Sequence, residues 1–97
     1  MALIIGSNYT IAAGVAGAWF TATGASFVAD VGSAHMVQLE MRRDIFDTAI
    51  KIVASGCSGA DAPLKIVGPC GVVIASAIGR QYRFVAITGP AVVAAST

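Results

Sequence analysis

Charge is what this sequence has least of. Only 11 % of its 97 residues are Asp, Glu, Lys or Arg, against 57 % that are hydrophobic. A small soluble domain carries roughly 25–35 % charged residues on its surface, and a short chain exposes a larger share of itself than a long one. Other subunits or a membrane are therefore expected to cover part of what this chain leaves apolar. Every charged residue falls between Asp30 and Arg83, so residues 1–29 and 84–97 carry none. Disordered tails are polar and charged, so both ends are expected in a sheet or against neighbours, the alternative being that small Ala and Gly residues are tolerated anywhere.

Other absences narrow the function. Net charge is only +1 and of mixed sign, without the basic stripe that nucleic-acid binding needs. Arg42-Arg43 and Arg80/Arg83 read as solvated strand positions rather than a phosphate site. The two cysteines, Cys57 and Cys70, lack CxxC or metal-type spacing. They read as thiols in a reducing cytosol, with a disulfide between them as the alternative. Met1-Ala2-Leu3-Ile4-Ile5 has no basic residue, and Gly6-Ser7-Asn8 breaks the apolar run, so no signal peptide is expected. Residues 10–29 are uncharged but poor in Leu and Ile and without a Lys/Arg flank. A membrane helix there is the less favoured reading, kept open by the small residues of Ala12-Ala13-Gly14 and Ala16-Gly17-Ala18.

Chemistry-bearing motifs are also missing. His35 is the lone histidine, in phase with Val37 and Leu39, and reads as an inward or edge side chain; a catalytic base needs a nucleophile and an orienting partner. Asp44 and Asp47 read as turn formers, because a calcium loop supplies more oxygen ligands. The Gly-rich residues 55–59 lack the Lys-Ser/Thr of a phosphate-binding loop, and GxGxxG does not occur. Neither enzymatic activity nor a cofactor or metal site is expected.

What is present is alternation. Val37, Leu39 and Met41 alternate with Gln38, Glu40 and Arg42, the period-two pattern of a half-buried strand. Asp44-Ile45-Phe46-Asp47 then reads as a hairpin tip, followed by a strand with Ile50 and Ile52 on one side and Lys51 on the other. Leu64-Lys65-Ile66-Val67 ends at Gly68-Pro69, residues 72–77 form another strand, and Tyr82, Phe84 and Ala86 share one face of the next. Residues 91–95 form a last strand. Ala18-Trp19-Phe20-Thr21 and Ser26-Phe27-Val28-Ala29 form two more, joined through Thr23-Gly24. About seven or eight short segments with regular turn signals predict an all-β fold, a small antiparallel β-sandwich or barrel. The expected core is Trp19, Phe27, Val37, Leu39, Met41, Ile50, Ile52, Tyr82 and Phe84. Residues 1–17 are expected as an uncharged interface segment and 18–97 as the sandwich, with assembly contacts at Leu3, Ile4, Ile5, Tyr9, Val92 and Val93.

The order Trp19-Phe20, Ser26-Phe27-Val28-Ala29, Val37-Gln38-Leu39-Glu40, Asp44-Ile45-Phe46-Asp47 and Tyr82-Arg83-Phe84 resembles small β-sandwich virion proteins of tailed bacteriophages. In that layout a V-x-L-E strand leads to a polar tip with an aromatic, and a later strand reads Y-R-F; the tip here has no Gly. The resemblance implies a capsid decoration or cement protein that binds and stabilises the lattice. Its partners would be the major capsid protein or other virion proteins and further copies of the chain, a homo-oligomer, with neither nucleic acid nor membrane. The implied location is the virion, after assembly in the host cytoplasm. A head–tail or fibre-associated part is the alternative within that family, and a lectin-like adhesion sandwich using loop 55–63 the alternative outside it.

Overall fold

In the computed structural model Val37 and Leu39 are fully buried, while Gln38 and Glu40 beside them are half-buried. The same alternation recurs along the chain and sets its architecture. The structure describes residues 4–5, 9–32, 34–52 and 64–97. Among them are nine strands and no helix: β1 (Tyr9–Ile11), β2 (Phe20–Thr21), β3 (Ser26–Val31), β4 (Met36–Arg42), β5 (Lys51–Ile52), β6 (Lys65–Val67), β7 (Cys70–Ala75), β8 (Gln81–Ala86) and β9 (Ala91–Ser96). They form two antiparallel sheets, one ordered β1-β9-β3-β7 and one ordered β2-β8-β4-β5, with β6 also on β4. The chain is a small all-β protein of the sandwich type.

The inner faces meet through aromatic rings. Phe27 of the first sheet lies 5.4 Å from Phe20 and 4.9 Å from Tyr82 of the second, both edge-on. Phe20 also stacks on Phe84 at 5.6 Å. Val31, Ile74, Val93 and Ile66 close the core around them. Burying a side chain of this size stabilises the fold by about 1.5–3 kcal/mol, so these few residues carry most of what a short chain can gather.

Local chemistry sets the turns. Gly79 adopts φ 88° in the turn where Arg80 N–H bonds Ala77 C=O, and Gly14 adopts φ 73° where Val15 N–H bonds Ala12 C=O. Each sits third of four, the position that type II turns reserve for positive φ. The β4–β5 hairpin works without glycine. Asp44 Oδ1 accepts from Phe46 N–H at 2.9 Å, and Asp47 accepts from Arg43 N–H at 3.0 Å and Ala49 N–H at 2.9 Å.

Several expectations change. The strands number nine because Tyr9–Ile11 pairs with β9, Tyr9 opposite Val93; residues before 18 thus contribute a strand to the sandwich itself. The strands flanking Thr23-Gly24 both exist but lie in opposite sheets, so the chain crosses the sandwich there. Trp19 is not in the core: it is half-buried just before β2, and the register puts Phe20 inward opposite Tyr82. Ile50 is 47 % exposed because the ladder begins only at Lys51, leaving Ile50 in the loop. Ile52 pairs with Glu40 through the backbone, and its side chain lies outside the described residues. Met41 is half-buried against the core, and Phe27, Val37, Leu39, Tyr82 and Phe84 are buried as expected. Residues 10–29, weighed as a membrane helix, carry parts of three strands. No helix among the described residues is long and apolar enough to cross a membrane.

Candidate functional site: two unlike outer faces and a cationic cleft

The outer face of the first sheet is assembled from the residues between its buried ones. Thr10 pairs with Val92, Val28 with Val73 and with Ser96, which is itself buried, and Asp30 with Gly71 and Ala94. Asp30 is the one ionisable group in this set, its carboxylate lying over Gly71 so closely that a Cβ there would meet Oδ1 at 2.7 Å. Among the described residues the face ends at β7, the outermost strand of its sheet. Cys70–Ala75 contains neither charge nor proline, and its outward Val73 is 70 % exposed. Natural edge strands are normally blunted by charge, proline or a bulge. This one is not.

The outer face of the second sheet is its opposite. In β4 and β8 the register sets Glu40 against Arg83 and Arg42 against Gln81. Arg83 Nε donates to Glu40 Oε1 at 2.6 Å, with both side chains 23 % exposed. Arg42 Nε donates to Gln81 Oε1 at 2.7 Å, and Gln81 Nε2 passes the chain on to Thr21 Oγ1 at 3.1 Å. Trp19 ties these together, with Arg42 Cζ at 4.3 Å and Arg83 Cζ at 4.5 Å from its ring. Each such contact contributes about 0.5–1 kcal/mol where water still reaches it. The arrangement fixes both guanidinium groups and the indole.

The chain carries one extra residue beside the indole. Phe20 pairs with Tyr82 and Ala16 with Val85, so the first chain advances one residue more than β8 does. The extra residue interrupts the ladder and turns the local strand, and Trp19 lies in that interval.

At the end of β4 and β8 the two arginine pairs of the sequence become one cluster. A cleft of about 170 Å³ is lined by Met41, Arg42, Arg43 and Arg80. Arg43 reaches Asp44 Oδ2 at 3.5 Å from an 80 % exposed position. Exposed apolar residues lie near its arginines in sequence: Ile45 and Phe46 in the β4–β5 tip that follows Arg43, Ile78 in the β7–β8 turn that precedes Arg80. A second cleft of about 410 Å³ is lined by Ile4, Ile5, Trp19, Phe20, Thr21, Thr23 and Thr97, whose side chains offer hydroxyls and apolar surface.

The expected assembly residues divide. Leu3 lies outside the described residues. Ile4 and Ile5 are half-buried on the core, with Ile4 N–H bonded to Ala95 C=O at 2.7 Å. Tyr9 packs there too, its hydroxyl accepting from Ala18 N–H at 2.8 Å. Val92 lies on the outer face, half-buried. Val93 is corrected: it points inward at 1 % exposure, because β9 runs between β1 and β3 and alternates. The terminal strand is therefore not an edge.

His35 is exposed beside Gly89, whose added Cβ would meet its ring at 2.6 Å. The Cys70 thiol is free and donates to Val67 C=O at 3.3 Å; Cys57 and loop 55–63 lie outside the described residues. No group of three His, Cys, Asp or Glu side chains could hold a metal among the described residues. The merged arginines were missed from sequence. Pairing Leu39 with Phe84 would have found them, since that register fixes the rest. Comparison with family models, curated proteins and solved structures finds no match.

Proposed function

We propose that this chain is a non-enzymatic structural subunit of a virus particle, a decoration or cement protein of a tailed-bacteriophage capsid. The observation that carries the reading is the β7 edge with the charge-poor face behind it. A strand edge offers unpaired N–H and C=O groups to a neighbour's strand, and an apolar face beside it supplies the burial that a durable subunit contact needs. Together they suit lateral joining to further copies of the chain or to shell subunits. The charge-poor sequence and the likeness to small virion sandwiches support the same reading, with the head–tail or fibre position as its variant.

Val73→Lys tests it. Val73 is largely exposed, so lysine leaves the core intact while placing a charge at the edge, where such charges block strand addition. The variant is expected to fold with an unchanged β-type circular dichroism spectrum and to be lost from purified particles that incorporate the wild type. Wild-type protein absent from particles, or a variant incorporated equally well, overturns the reading. Copy number then separates the positions within the particle: a lattice component is present in hundreds of copies, a neck part in about six or twelve, as ring symmetry dictates.

A further inference from the structure

The cleft between the β4–β5 tip and the β7–β8 turn has more arginines around it than carboxylates paired to them among the described residues. Arg42, Arg43 and Arg80 line it, and Arg83 stands beside them on β8. The carboxylates of this region are already engaged. Glu40 holds Arg83. Asp44 divides its oxygens between Arg43 and Phe46 N–H, and Asp47 accepts from Arg43 N–H and Ala49 N–H. Arg80 has no side-chain partner among the described residues. Its N–H and C=O serve the turn, bonding Ala77 and Ala22.

We infer that this cleft binds a carboxylate side chain carried by an acidic, apolar-flanked segment of a partner protein. Three features select that ligand. Guanidinium groups recognise planar oxyanions through paired hydrogen bonds, and Arg42 is already held by Trp19 and Gln81, so less side-chain freedom is lost on binding. The volume, about 170 Å³, is below the roughly 300–1,000 Å³ of cofactor and drug-sized sites; it suits one side chain, whose methylene stem meets Met41. The loops that carry Arg43 and Arg80 also carry Ile45, Phe46 and Ile78, 60 %, 85 % and 79 % exposed, so arginine and exposed apolar surface occur together, the composition of protein–protein hot spots. A nucleic-acid strand is disfavoured because the arginines form one small cluster rather than the basic stripe that tracks a phosphate backbone.

The inference goes beyond the assembly role and uses another surface. The probe is a capped pentapeptide, Leu-Glu-Phe-Glu-Leu, titrated to millimolar concentration against the full chain. The readouts are amide NMR shifts and the fluorescence of Trp19, the chain's sole tryptophan, whose ring senses Arg42. The Glu peptide is expected to shift the amides of Met41, Arg42, Arg43 and Arg80. The matching Gln peptide should bind about tenfold more weakly, the loss expected for one charge-assisted pair. Arg80→Gln should weaken the Glu peptide by a similar factor, while Lys65→Gln, at an exposed position of β6, leaves it unchanged. If Arg80→Gln alters the whole spectrum, Arg43→Gln takes its place.

Equal binding of the Glu and Gln peptides, or no shift at millimolar peptide, overturns the inference. Tighter binding of inorganic phosphate or a short DNA duplex at the same amides also overturns it, in favour of a phosphate ligand. Val73→Lys leaves this cleft untouched and should bind the Glu peptide normally, so failure of the edge-strand assembly and failure of the cleft remain distinguishable.

Discussion

Gly79 is the residue on which the β7–β8 turn depends. Its φ of 88° lies in the left-handed region, where a Cβ costs about 1–2 kcal/mol, although nothing within 4 Å would obstruct that atom. Gly24 also has open space but no positive φ. Gly79→Ala is therefore expected to lower stability by about 1–2 kcal/mol in urea unfolding, and Gly24→Ala to change it by less than about 0.5 kcal/mol. Equal effects would show that conformation at residue 79 is not what matters. Residues were legible from sequence where a neighbour of opposite polarity fixed the phase. Val37, Leu39, Tyr82 and Phe84 each alternate with a polar residue in at least one direction, and all are buried. Trp19 and Phe20 are both large and adjacent, so composition could not say which one faces the core; only pairing with Tyr82 does.

Elements were legible where turn chemistry lay nearby in sequence. The β4–β5 tip was readable from Asp44 and Asp47, and their carboxylates do bond the backbone N–H groups of residues 43, 46 and 49. Asp47 alone accepts two of these bonds, each contributing about 0.5–1.5 kcal/mol. Asp47→Ala is expected to speed hydrogen exchange at the Arg43 and Ala49 amides, leaving the central β8 amides of Tyr82 and Phe84 protected. Uniformly faster exchange across the chain would mean that the tip supports the whole sandwich. β1 was illegible because Tyr9–Ile11 is too short to show a period and is followed by Ala- and Gly-rich residues. Its strand state comes from β9 alongside it and from Tyr9 reaching back to Ala18 N–H. The cationic cleft was hidden for a related reason. Arg42-Arg43 and Arg80 are far apart in the chain and meet only because β4 and β8 are antiparallel neighbours.

At the scale of the whole molecule the pattern of twos predicts strands but not partners, since any register with apolar faces inward satisfies it. The partners are distant ones: Tyr9 with Val93, Phe20 with Tyr82, Val28 with Ser96. Each pairing closes a long stretch of chain before its contacts reward it, which slows folding. Trp19 reports on that step, because its environment is built by Arg42 of β4 and Arg83 of β8 and arises only when three strands meet. In stopped-flow refolding its fluorescence should recover over milliseconds to seconds, the range of sandwiches with non-local pairing, together with the far-ultraviolet β signal. Arg83→Gln removes one wall of the indole and the Glu40 pair, so it should reduce the fluorescence amplitude without moving the far-ultraviolet rate beyond what its stability loss dictates. Recovery of Trp19 fluorescence within microseconds, ahead of the β signal, would mean that the indole site forms locally, and that the β4–β8 pairing does not build it.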